Sequence, residues 1–135
     1  MTRNERRMTR ADVGARAEHA RAYLLVADLI EGDETIGART NVLGSVAVLA
    51  GIAACDAMCG HSLGVRSAGD SHMEAIDLLR RATPPTSKAA ATLRRLLVAK
   101  TDTQYSPHLI SDAKARELHR AARQLIDEME LRLRS

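Results

Sequence analysis

Between Val42 and Cys59 the sequence is almost continuously apolar, and this run limits the folds open to the chain more than any other feature. A helix that is apolar all round must be covered on every side, by lipid or by protein. The run is only about as long as the shortest membrane spans, carries Asp56 inside it and has no flanking topology signal. It is therefore expected to be the buried central helix of a bundle. Gly44, Ser45, Gly51 and several alanines would let neighbouring helices approach it closely.

At 135 residues the chain can bury one core and has no room for two. Phe and Trp are absent, and Tyr23 and Tyr105 are the only aromatics, a composition that speaks against a sheet. Around the central run the spacing predicts further helices. Thr9 with Asp12 makes a helix start. Val13, Ala17, Ala20, Leu24, Ala27 and Ile30 then recur at intervals of three and four, on one face of a helix expected to reach about Ile36. Gly60, Gly64 and Gly69 bracket a loop. Ser71 and Glu74 form a capping-box pattern that opens a short helix with Ala75, Ile76 and Leu79 inward, and Thr83-Pro84-Pro85-Thr86 stops it. Thr86 or Ser87 can cap the next helix, which carries Leu93, Leu96 and Leu97 and ends near Lys100. The last helix starts at Ser111 and buries Leu118, Ala122, Leu125 and Met129. The expected fold is all-α: an antiparallel four- to five-helix up-and-down bundle over residues 9–135, preceded by a flexible basic arm, residues 1–8.

The N-terminal segment is charged and lacks the apolar stretch of a secretory signal or anchor, and Cys55 and Cys59 lie four apart on one helix, as thiols in a reducing compartment. A cytoplasmic protein is expected. The net charge of +3 is supplied by Arg3, Arg6, Arg7 and Arg10 against Glu5, so the total says little about partners. The distribution says more. From Leu78 to Thr101 lie Arg80, Arg81, Lys88, Arg94, Arg95 and Lys100 with no acid between them, either a solvated helix surface or a face for phosphates.

Three segments carry a resemblance: Gly51-Ile52-Ala53-Ala54-Cys55-Asp56-Ala57, then His72-x-x-Ala75-x-x-Leu78-Leu79, then Leu96-Leu97-x-x-Lys100-x-x-Thr103-Gln104-Tyr105 before a final amphipathic helix. From Thr40 onward the chain resembles the HEPN superfamily, the "higher eukaryotes and prokaryotes nucleotide-binding" domains. The resemblance implies a helical bundle that forms a homodimer. It also implies metal-independent ribonuclease activity in many members, often in toxin–antitoxin or defence systems beside a nucleotidyltransferase, and a binding or accessory role in members that have lost it. The family signature is an arginine, four to six residues and a histidine near the start of the last helix, usually followed by a tyrosine. Here that slot reads Lys100-Thr101-Asp102-Thr103-Gln104-Tyr105, with lysine for arginine and no histidine. Tyr105 resembles the tyrosine that a partner nucleotidyltransferase can modify. Arg66 and His72 have the right spacing, but before a middle helix, and such spacings arise by chance in a chain this rich in arginine.

Asp56 is the most informative residue, because a carboxylate in an apolar helix needs a cation or donors to meet it. A structural pair with Arg66, His72 or Lys100 is the ordinary explanation; a polar site that orients a histidine is the functional one. His72, beside Ser71 at a helix start, is a surface histidine or a general base. Lys100, Gln104 and Tyr105 could meet phosphate and base, or Tyr105 could fold down on the bundle. Cys55, Cys59 and His61 lack the spacing and fourth ligand of a zinc site, and no cofactor is expected.

Three functions follow as expectations. The first is a non-catalytic HEPN-like module that binds RNA, a nucleotide or a partner protein through Arg80, Arg81, Arg94, Arg95, Lys100, Gln104 and Tyr105. The second is an active ribonuclease in which Arg66, His72 and Asp56 converge with Lys100 and Tyr105 on one cleft. The third is an antitoxin or other interaction partner, with an exposed apolar patch and no polar pocket.

Overall fold

A computed structural model describes residues 2–69 and 71–135 of the chain. Helix α1 (Arg10–Glu31) starts on a full capping box: Asp12 N donates to Thr9 Oγ1 at 3.1 Å, and Thr9 N donates to Asp12 Oδ2 at 2.9 Å. Its buried face is the stripe Val13, Ala17, Ala20, Leu24, Ala27 and Ile30. The helix ends at Glu31, not near Ile36. Beyond Gly32, Asp33 accepts from both the backbone N and the hydroxyl of Thr35, and such local bonds draw the chain out of the helix.

Helix α2 (Arg39–Leu63) is the central helix, longer at both ends than the apolar run. It is long and apolar enough to cross a membrane, yet most of its apolar length is packed inside the protein. Two glycines make this packing possible. A Cβ on Gly44 would lie 2.6 Å from Thr103 Cγ2, and one on Gly51 would lie 2.5 Å from Leu96 Cδ1, so side chains from the facing helices occupy the space.

The expected loose arm is tied down over part of its length. Strand β1 (Glu5–Arg7) pairs antiparallel with β2 (Val65–Ser67), in the register Glu5 to Ser67, Arg6 to Arg66 and Arg7 to Val65. Bonds from Met8 N to Gly64 O and from Ala68 N to Asn4 O, both 2.8 Å, extend the ladder, and Met8 is buried in the core. Met1 lies outside the described residues. Gly64, at φ 73, turns the chain from α2 into β2; open space surrounds it, so the requirement is conformational and not steric.

Helix α3 (His72–Ala82) is capped by Ser71, whose Oγ accepts from Glu74 N at 3.3 Å. The second half of the expected capping box is replaced by a long-range bond, because Glu74 accepts from Asn4 Nδ2 at 2.7 Å. Helix α4 (Ala89–Val98) has Lys88 at its N-cap, without a side-chain cap, and not Thr86 or Ser87; Ser87, one residue earlier, still accepts from Ala89 N at 3.1 Å through its Oγ. A short α5 (Lys100–Gln104) follows, and α6 (Asp112–Leu133) starts on Ser111. Buried Asn41 brackets the loop before α6, donating to His108 O at 2.9 Å and accepting from Ile110 N at 2.7 Å.

The contacts set the topology. Arg16 faces Asp56, so α1 and α2 are antiparallel; Leu96 packs on Gly51 and Thr103 on Gly44, so α4 and α5 run against α2. Leu118 packs on Gly44 and Leu125 on Gly51, which sets α6 parallel to α2. The result is an all-α, up-down-up-down bundle of α1, α2, α4 with α5, and α6, with α3 at its side.

Candidate functional site

Six elements, α1, α2, β2, α3, α4 and α5, meet beside the C-terminal half of α2. They line an open cavity of about 270 Å³, just below the usual range for small-molecule sites, about 300 Å³ and above. Arg16 enters from α1, Asp56 from α2, Arg66 and Ser67 from β2, Ser71 and His72 from the start of α3, and Lys100 from the start of α5. Ile52, Cys55, Ala75, Leu93 and Leu97 form its apolar walls.

Local structure explains each placement. Pairing with β1 holds Arg66 at the rim. Ser71 fixes the first turn of α3, and with it His72. Thr103, buried on α5, donates to Lys100 O at 3.1 Å and accepts at its own carbonyl from Ser45 Oγ at 2.9 Å, which anchors α5 and Lys100 to α2. The N-terminus of α3 adds a positive dipole end to the same space.

Asp56 is only 8% exposed, and its Oδ2 accepts from Arg16 Nε at 3.0 Å. Its ion-pair partner is therefore Arg16, and not Arg66, His72 or Lys100. Arg16 flanks the apolar stripe of α1. In a helical hairpin folded at residues 32–38 it stands about as far from the turn as Asp56 does, a signal available from equal rise per residue. Burial pushes the Asp56 carboxyl above its ordinary range, and Arg16, then Arg66, offset only part of this.

Among the described residues, Asp56 is the only carboxylate lining the cavity, against the cations Arg16, Arg66 and Lys100 and the imidazole of His72. No described carboxylate pairs with Arg66, His72 or Lys100. The hydroxyl of Ser67 is buried and has no partner among the described residues. A surplus of cations beside a helix N-terminus suits an anion, and a phosphate group above others.

Cys55 contributes shape and not reactivity. Its thiol contacts that of Cys59 at 3.9 Å, and this contact and full burial raise it well above the usual thiol range. Among the described residues no group of three or more possible metal ligands occurs.

The structure separates the other residues singled out from the sequence. Gln104 and Tyr105 do not line the cavity, and Tyr105 is 72% exposed. Arg80 pairs with Asp77 at 2.8 Å and Arg81 with Glu5 at 3.7 Å, so the acid-free stretch of sequence has acids beside it in space. Arg95 donates to Gln124 and Thr92, and Arg94 points to solvent. Arg16 and Ser67 are members of the cavity that the sequence pattern did not single out, and Ser71 stood out only as a helix cap. No protein family, curated protein or solved structure matches the chain.

Proposed function

We propose that the protein is a HEPN-like module that binds a phosphate-bearing ligand, RNA or a nucleotide, in the cavity between α1, α2, β2, α3, α4 and α5. The observation that carries this reading is the meeting of Arg16, Arg66, Lys100 and His72 around one cavity in which Asp56 is the only described carboxylate. The binding surface is then this cavity and not the whole Arg80 to Lys100 stretch. Leu25 and Leu29, 60% and 65% exposed on α1, offer a surface for the second copy or partner protein that a HEPN-like module would engage.

A second reading is metal-independent RNA cleavage, favoured by one observation: His72 shares the cavity with Arg66 and Lys100 despite the missing histidine of the family slot. His72 would take the proton of a 2′-hydroxyl as that oxygen attacks the adjacent phosphorus. The bond to the 5′-oxygen would break, and that oxygen would leave with a proton from solvent or Lys100.

Labelled RNA incubated with the protein in EDTA, beside His72→Ala and Arg66→Ala, tests both. Binding that is lost in Arg66→Ala, without cleavage, is the expected outcome. Cleavage lost in His72→Ala would establish the second reading, and wild-type protein that neither binds nor cuts would refute both.

A further inference from the structure

The cavity holds one feature that a simple phosphate site does not need, a buried carboxylate. An ionised carboxylate accepts at about four positions. On Asp56 the only described donor is Arg16 Nε, on Oδ2. The side chain is 12% exposed, and Asp56 lines the cavity, so its remaining acceptor capacity opens toward whatever the cavity holds. Helix α2 fixes it there, and the apolar Ile52 and Cys55 of the same helix line the cavity with it.

Inorganic phosphate drawn in by Arg66 and Lys100 would meet this negative group at short range, where like charges in a poorly solvated space oppose binding. A ligand with a neutral hydroxyl or amino group next to its phosphate relieves the conflict. Its phosphate takes the cations, and its donor takes the open side of Asp56. Leaving a buried acceptor unmatched is costly, so an analogue without the donor is penalised.

We propose that Asp56 is a specificity-determining residue of this cavity, an acceptor for a donor group beside the ligand's phosphate. The cavity then takes a phosphate ester bearing a neighbouring hydroxyl over the same ester without it and over inorganic phosphate. This rests on the phosphate-binding reading above and adds to it the chemical class of the ligand.

The test is calorimetric titration of the full-length protein at neutral pH with adenosine 3′-phosphate, its 2′-deoxy counterpart and inorganic phosphate, repeated on Asp56→Ala. The hydroxyl-bearing ester is expected to bind about tenfold tighter than the deoxy ester. In Asp56→Ala the two esters should converge to within about twofold, and inorganic phosphate should bind more tightly than to wild type. Equal affinity of wild type for the two esters overturns the role of Asp56 while leaving the phosphate site standing. A preference that survives in Asp56→Ala assigns the discrimination to another group and overturns it as well. Failure of all three probes to bind wild type overturns the phosphate site itself. If Asp56→Ala does not fold, Asp56→Asn takes its place: a wild-type preference that this variant keeps in full overturns the role of Asp56, and one that falls supports it.

Discussion

Helix α1 makes a polar contact near each of its ends, and the two differ in kind. Near its N-terminus, Arg16 meets the buried Asp56 in a cavity where, among the described residues, cations outnumber carboxylates. Near its C-terminus, His119 of α6 lies between two carboxylates of α1: its Nε2 is 2.6 Å from Asp28 Oδ1, and its Nδ1 contacts Glu31 Oε2. Arg123 also donates to Asp28. In the second cluster Arg123 and the imidazole of His119 meet two acids, an arrangement that joins α1 to α6. In the first, positive charge remains unmatched among the described residues, and a cavity adjoins it. The titration behaviour follows the same division. For Asp28, burial pushes the carboxyl up, but hydrogen bonds from Arg123 and His119 outweigh it and hold the group below its ordinary range. For Asp56, burial prevails and the group rises. The two contacts thus differ in their surroundings: one is filled by its own partners, and the other opens on a cavity.

The sharpest way to break this contrast is Arg66→Ala. It should weaken binding of labelled RNA or nucleotide by roughly 10- to 100-fold, the weight of one charge-assisted contact, while leaving the melting temperature nearly unchanged. Unaltered binding in a folded variant would remove the cavity from consideration.

His119→Ala should do the reverse. Two carboxylates lose their shared partner, and because they are partly solvated the cost is about 1–2 kcal/mol, a drop of several degrees in melting temperature, with ligand affinity unchanged. A variant as stable as wild type would show that the balanced cluster does not hold the helices together.

The pH dependences should have opposite signs. Asp28 has a lowered folded-state pKa, so its stabilising contribution is present above about pH 4 and is lost as pH falls through the folded value. Asp56 has a raised one, so its contribution is most favourable below about pH 4 and declines as pH rises through the folded value. Urea unfolding of Asp28→Asn and Asp56→Asn against wild type, from about pH 3 to about pH 7, should give difference curves that slope in opposite directions. Parallel curves would contradict the contrast.

The smallest effect is expected outside both contacts. Arg80→Ala and Arg94→Ala should change binding by less than about twofold, since exposed charges contribute little to a contact they do not touch. A large loss in a filter-binding assay would return the site to the surface of α3 and α4.

Much of the bundle was legible along the chain. The stripe from Val13 to Ile30, the capping residues Thr9, Ser71 and Ser111, the stop at Pro84-Pro85 and the small residues Gly44 and Gly51 each declare themselves through neighbours three or four positions away. Asp56, Arg66, His72 and Lys100 were also visible as unusual residues, and the fold brings all four to one cavity. Basic residues adjacent in sequence were a poorer guide. Arg80 and Arg81 stand in a stretch without acids, yet a turn of helix and a long-range contact supply Asp77 and Glu5.

The amino-acid sequence by itself determined the longer helices, most of their caps and the face each one buries, because these depend on side chains within a turn or two of one another; the end of α1 and the short α5 were not among them. Only the tertiary structure decided that Glu5–Arg7 pairs with Val65–Ser67, that Arg16 meets Asp56, and that His119 belongs with Asp28 and Glu31. Those contacts join residues tens of positions apart, and their strength depends on burial and on the balance of neighbouring charge, which exist only once the helices have packed.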